Sequence, residues 1–92
     1  MPQTENLVVG ESSAFACLCI SWLLEEESTI AQPLRGKLTV PSGELISALV
    51  GLTAVERLEL KDSISQRSTH GPLPGPLSGK ALCAFLDAIA IT

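Results

Sequence analysis

The sequence contains few aromatic and few charged residues. Only 3% of its 92 residues are aromatic, with one Trp, two Phe and no Tyr, so a core must be built from Leu, Ile, Val and Ala. Charged residues make up 17%, below the ~25% of ordinary domains. Such a chain has little polar surface to cover a small fold, and exposed apolar patches usually mark interfaces. We therefore expect one domain, residues 1–92, that forms a homodimer or binds another protein.

Basic residues are absent from the first 34 positions. That region contains Glu5, Glu11, Glu25, Glu26 and Glu27, for a charge of −5, whereas the remainder has five acids and six bases, for +1. Signal and transit peptides need positive charge, so neither is expected. Direct binding of nucleic acid normally requires a basic stripe, which is missing. An acidic end suits a basic partner, so one alternative function is an acidic inhibitor or adaptor of a nucleic-acid-handling protein.

Long apolar runs and paired cysteines are also lacking. The run at residues 14–24 is well short of the ~20 residues that a membrane helix requires. Three cysteines, an odd number, fit reduced buried thiols better than a disulfide framework. These absences predict a cytoplasmic protein that does not contact membranes.

The most apolar segment, residues 12–27, contains the only Trp and two of the three Cys. It is too long for a typical strand, and Ser residues at its start can cap a helix, so we predict a helix over residues 13–27. A helix that is apolar nearly all round is buried on several sides or shared between subunits. The candidate interface residues, which could equally be core, come from its end and from the last helix: Trp22, Leu23, Leu24, Glu25, Glu26, Glu27, Leu82, Phe85 and Leu86.

Shorter elements are predicted on either side of this helix. Residues 6–9 and residues 37–40 have the composition or alternation of short strands. A short helix is expected between Ser42, its cap, and Gly51, its exit, because the intervening apolar residues recur at helical spacing.

The segment that decides the fold class is residues 53–66. Its first four residues, TAVE, have the form of a capping box, which favours a helix. On a helix, however, Val55 and Leu58 face away from Leu60 and Ile64, so no single apolar stripe forms. The last three of these residues share one parity, as in a half-buried strand. We therefore predict a strand over residues 56–64.

The remaining elements are a loop rich in Pro and Gly, residues 65–78, and a final helix, residues 79–92, capped by Ser78. The preferred architecture is then a small mixed α/β domain with the order β-α-β-α-β followed by a C-terminal helix. Its two strand-helix-strand units are expected to be right-handed crossovers. The alternative is an all-α bundle of four helices.

The three cysteines and His70 have the composition of a chemical site. Cys17, Cys19, Cys83 and His70 are formally sufficient for zinc, but Cys17 and Cys19 point ~200° apart on a helix. One of these thiols with His70, the only histidine, would make a small thiol-dependent or hydrolytic enzyme, a second alternative function. Such a base needs a third group to orient it, and none is evident.

Residues 75–81, GPLSGKA, superficially resemble a phosphate-binding loop. Pro74 stands where the first Gly belongs and Ala81 where a Ser or Thr must ligate magnesium, so a nucleotide site is not expected. We expect no metal and no cofactor. The preferred function is a non-catalytic interaction or assembly domain that self-associates through apolar surface.

Overall fold

The computed structural model describes the backbone of residues 2–26 and 30–91, and the side chains of residues 12–26 and 30–90. Within these ranges the chain folds into five α-helices and one 3-10 turn, with no strand. The helices are α1 (Pro2–Glu25), α2 (Gln32–Leu38), α3 (Leu45–Val50), α4 (Ala54–Ser68) and α5 (Gly79–Ile91), and the 3-10 turn Ser42–Glu44 leads into α3. The predicted α/β class is therefore wrong, and the all-α alternative fits, with five helices in place of four.

The predicted strand at residues 56–64 is the middle of α4. Leu60 and Ile64, one turn apart, are fully buried, whereas Leu58 is exposed. The three even-numbered residues therefore do not lie on one face, as they would in a strand. Thr53 caps the helix as its sequence indicates. Helical spacing and strand parity coincide at positions 60 and 64, and packing against the core selects the helix.

The other two predicted strands are also helical or irregular. Residues 6–9 lie inside α1; extending a helix whose second half is anchored costs less than nucleating a new element. Residues 37–38 end α2, where Leu34 and Leu38 are buried one turn apart and Pro33 lies in the first turn. Pro at the start of a helix fits because its missing N–H has no intrahelical acceptor there.

Among the described side chains of helix α1, residues 12–25, full burial is limited to one side, whereas the sequence predicts burial on several sides or a position shared between subunits. Its core residues recur at helical spacing: Ala16, Cys19, Ile20 and Leu23. The opposite stripe is exposed to solvent: Ala14, Leu18, Ser21 and Glu25. Among the described residues, no helix combines the length and apolar composition that crossing a bilayer requires.

The core joins all five helices. Each shorter helix contributes a pair of buried side chains: Leu34 and Leu38 from α2, Leu45 and Leu49 from α3, Leu60 and Ile64 from α4, Leu82 and Leu86 from α5. These residues meet the buried side of α1 in one apolar cluster, which within the described part of the chain contains no polar side chain. As composition predicts, the cluster is almost wholly aliphatic, with Phe85 its one aromatic member.

The Pro- and Gly-rich connection begins after α4, so residues 65–68 of the predicted loop are helical. Two contacts hold it against the rest of the fold. Leu73 is buried in the core, and the Cys19 thiol of α1 donates to the Pro74 carbonyl oxygen at 3.0 Å. Gly75 has φ +82°, where an L side chain is strained. Ser78 then caps α5 as predicted, its Oγ accepting from the Ala81 N–H at 3.1 Å.

Candidate functional site

The predicted interface residues are divided between the core and the end of α1. Leu23, Leu82, Phe85 and Leu86 are buried. Trp22 and Leu24 are half-buried and pack against the core, Glu25 is exposed, and Glu26 is half-buried. Glu27 lies outside the described residues. The structure thus does not bring these residues together as one exposed surface.

The acidic end of α1 is held by two arginines from later in the chain. Arg67 Nε lies 2.9 Å from Glu26 Oε1, and its guanidinium lies 4.5 Å from the centroid of the Trp22 ring. Arg35 donates from Nη1 to the Leu24 carbonyl and from Nη2 to the Glu26 carbonyl, the latter at 2.7 Å. Positive charge at a helix C-terminus satisfies its free carbonyl groups and its dipole. This acidic end is therefore used within the fold.

The thiols and the histidine do not form a reactive site. Burial is the largest cause of a raised pKa at Cys17, Cys19 and Cys83, so less thiolate is present at neutral pH than in a free cysteine. The His70 ring is exposed and lies 3.0 Å from the Gln66 carbonyl oxygen at the end of α4. Among the described residues, no group of His, Cys, Asp and Glu could hold a metal ion.

The segment that resembles a phosphate loop borders an open hollow of about 510 Å³. Residues 71–73 and 75–78 of the connection line it, together with Ser68 and the first two residues of α5, Gly79 and Lys80. The Ser78 hydroxyl is engaged in capping α5, and Lys80 is exposed.

Most of the large exposed apolar side chains lie elsewhere, on either side of the connection between α3 and α4. Among the described side chains, four large apolar ones are exposed: Leu18 by 50%, Val50 by 43%, Val55 by 67% and Leu58 by 64%. Three of them fall within nine positions, and we call Val50, Val55 and Leu58 the apolar corner. Val55 and Leu58 are neighbours on the helix surface because they are three residues apart.

This surface carries a signal that is visible in the sequence. On a helix, Val55 and Leu58 face away from Leu60 and Ile64. That split is consistent with a strand, but it equally describes a helix with one buried side and one apolar exposed side. The second interpretation is the one that the structure supports.

A short and well-fixed connection positions the apolar corner. The Gly51 N–H donates to the Ser47 carbonyl at 3.0 Å, and Leu52 is buried in the core. Thr53 Oγ1 then accepts from the Glu56 N–H at 3.1 Å, while Glu56 Oε1 accepts from the Thr53 N–H at 2.9 Å. This capping box fixes the direction in which α4 leaves the corner.

The charged residues of α4 lie on two sides of the helix, basic ones toward α5 and acidic ones toward solvent. Arg57 and Lys61 lie toward α5. Arg57 Nε is 3.9 Å from Asp87 Oδ1, and Lys61 Nζ is 2.7 Å from Asp87 Oδ2. Glu59 and Asp62 are exposed. Because Asp62 lies four residues after Leu58, it shares the face of Leu58 one turn further along. The exposed face of α4 is thus apolar at its start and acidic in its middle.

The capping box should make folding stability depend on pH. The pKa of Glu56 is held below its ordinary value of 4.5, first by its hydrogen bond with Lys37, whose Nζ lies 2.5 Å from Oε2, and then by the Thr53 N–H. A depressed folded pKa stabilises the fold fully above the unfolded value, and the stabilisation is lost as pH falls through the folded value. Urea unfolding at pH 5 and pH 3 should show a larger loss for the wild type than for Glu56→Gln. Equal losses in the two proteins would contradict this role.

Models of known protein families, curated proteins and solved structures were all compared with this chain, and nothing matches it. Its function must therefore be inferred from its own contacts and exposed surfaces.

Proposed function

We propose that this chain is a non-catalytic protein-interaction domain that self-associates through the apolar corner. The observation that carries the proposal is the exposure of Val50, Val55 and Leu58, which lie within nine positions of the chain and outside the core. Apolar side chains that are exposed singly are ordinary, whereas a group of them usually marks a contact surface. The capping box and the buried Leu52 support this role because they hold the surface in one orientation before any partner binds.

The small size of the apolar corner sets the strength of association. Stable interfaces bury ~800 Å² on each partner, with about 20 to 30 residues a side. Three exposed side chains and their rim supply much less. We therefore expect a reversible dimer with a Kd of roughly 10 µM to 1 mM.

The cysteines support a non-catalytic role and a cytoplasmic location. All three are free, as cysteines are in reducing compartments. Burial raises the pKa of each thiol, which is the opposite of what a catalytic cysteine needs. A reactive thiol would also require His70 beside it, and the His70 ring instead makes its hydrogen bonds at the end of α4.

The test is solution mass as a function of protein concentration. By sedimentation equilibrium, the wild type should move from the monomer mass of 9.7 kDa toward twice that value as its concentration rises into the millimolar range. The double substitution Val55→Ser with Leu58→Ser should keep the protein monomeric. It should fold normally, because both side chains are exposed.

Leu18→Ser is the matched control. Leu18 is the fourth large exposed apolar side chain among the described residues and lies on α1, so its replacement removes exposed apolar area at a different place, to be compared with Leu58→Ser alone. Association should be unchanged in this variant. A wild type that stays monomeric at millimolar concentration, or a dimer that depends on Leu18 and not on the apolar corner, would overturn the proposal.

A further inference from the structure

We propose that residues 71–75, which we call the strap, open as a unit while the helices stay folded, and that this opening uncovers the Cys19 thiol. The strap lies in the connection between α4 and α5, and Leu73 is its only buried residue. The movement does not involve the apolar corner, so it is independent of self-association.

Few interactions hold the strap closed. Within the described part of the chain, no backbone–backbone hydrogen bond begins or ends on residues 71–75. Two interactions fix it: the burial of Leu73 in the core, and the hydrogen bond from the Cys19 thiol to the Pro74 carbonyl oxygen at 3.0 Å. A segment with so few backbone hydrogen bonds opens at a lower free energy than the helices around it.

Glycines at both ends allow the strap to turn. Gly71 has φ +149° and Gly75 has φ +82°, values that L side chains rarely adopt. Hinges consist of a few residues that absorb changes in φ and ψ. Between the two glycines, the rings of Pro72 and Pro74 fix φ near about −65° and stiffen the middle of the segment. The strap therefore moves as one piece about its ends.

Open space lies on one side of the strap and α1 lies on the other. Leu73 and three other strap residues line the hollow of about 510 Å³. Leu73 can therefore leave the core without displacing a helix. On the side of α1, the Pro74 carbonyl accepts from Cys19, and a Cβ on Gly75 would lie 3.5 Å from Leu18 Cδ2. Movement of the strap into the hollow uncovers this part of α1.

Cys19 is the reactive group that the closed strap shields. Its side chain is fully buried, whereas Cys17 and Cys83 are half-buried. A thiol without access to solvent meets a reagent only when its cover moves away. The rate at which Cys19 reacts with a small electrophile therefore measures how often the strap opens.

The burial of Leu73 sets the balance between the closed and open strap. Burying one leucine side chain favours the closed state about 10- to 150-fold. The weak thiol hydrogen bond adds a few-fold, for a total of about 30- to 1,000-fold. Global unfolding of a small domain is unfavourable by about 10³- to 10⁸-fold. The strap therefore opens more often than the whole chain unfolds.

Alkylation of Cys19 tests this movement. In the full chain with Cys17→Ser and Cys83→Ser, only the Cys19 thiolate can displace iodide from iodoacetamide, and mass spectrometry follows the product. The reaction in the folded protein should be about 30- to 1,000-fold slower than in the chain unfolded by urea. Leu73→Ala removes much of the contact that closes the strap, so it should raise the rate in the folded protein about five- to fifty-fold.

Leu38→Ala, made in the same background, is the matched control. Leu38 is 1% exposed and belongs to α2, so its replacement lowers global stability through a cavity and leaves the strap unchanged. The Cys19 rate in this variant should stay within about two-fold of its parent. If either alanine variant fails to fold, Leu73→Val and Leu38→Val repeat the comparison with a smaller loss.

Two results would overturn the strap. Equal acceleration in Leu38→Ala and Leu73→Ala would show that Cys19 reacts only when the whole chain unfolds. No acceleration in Leu73→Ala would show that Leu73 does not hold the segment closed. Acceleration in Leu73→Ala alone supports the opening of the strap on a folded chain, and urea unfolding of both variants confirms that their global stabilities were lowered.

Discussion

Leu82→Ala is expected to lower the free energy of unfolding by about 2 to 5 kcal/mol, the cost of a cavity at a fully buried leucine. Small domains have a total stability of only about 5 to 15 kcal/mol, so the variant should lose a large share of its stability and unfold at a lower urea concentration. The loss should be independent of protein concentration, because Leu82 packs inside one chain and not between two chains. Urea unfolding followed by circular dichroism measures it.

Leu58→Ala is the matched control for this core substitution. It makes the same chemical change at a side chain that is 64% exposed, so the monomer should lose no more than about 0.5 kcal/mol. The two variants thus separate core from surface. A small loss at Leu82 that grows with protein concentration would show instead that α5 lies in an interface.

Arg67→Ala is expected to lower the free energy of unfolding by about 1 to 3 kcal/mol. The arginine lies over the Trp22 ring, a contact worth about 0.5 to 2 kcal/mol, and pairs with Glu26, a partly exposed ion pair worth up to about 1 kcal/mol. Since Trp22 is the only tryptophan, its fluorescence reports on this contact directly. Emission of the folded variant should change as the ring loses its cover.

Arg67→Lys and Arg57→Ala complete that experiment. Lysine retains the charge but not the planar group that stacks on the ring, so Arg67→Lys should show an intermediate loss. Arg57 pairs with Asp87 at 3.9 Å and covers no aromatic ring, so Arg57→Ala should cost less than about 0.5 kcal/mol. If Arg67→Ala is no worse than Arg57→Ala, the end of α1 is not held in the way described.

Local signals in the sequence predict the starts of α4 and α5 correctly. The starts predicted at Ser13 and Ser42 are wrong, since α1 begins at Pro2 and α3 begins at Leu45 without a side-chain cap. The capping box at Thr53 and the cap at Ser78 form as expected, because each is made between two residues that are three positions apart in the sequence. The buried pairs of α5 also follow from helical spacing. In residues 56–64, however, strand parity and helical spacing coincide at Leu60 and Ile64, and only packing against distant elements separates the two possibilities.

The candidate site depends on contacts that are distant in sequence. Glu26 and Arg67 are 41 positions apart, so the sequence of α1 alone gives no indication that Glu26 is paired with an arginine. Likewise, the exposure of Val55 and Leu58 follows from which side of α4 meets the other helices. The sequence shows that α4 has two apolar sides, but tertiary packing determines which one remains free.

Amide chemical shifts recorded during dilution test the central claim, self-association through the apolar corner, most directly. In ¹H–¹⁵N spectra taken from millimolar to micromolar concentration, the shifts that change should belong to residues 50–62, with Val55 and Leu58 among the largest. The amides of Leu18 and Trp22 should stay constant. Shifts that do not depend on concentration, or changes confined to the end of α1, would contradict the proposed interface.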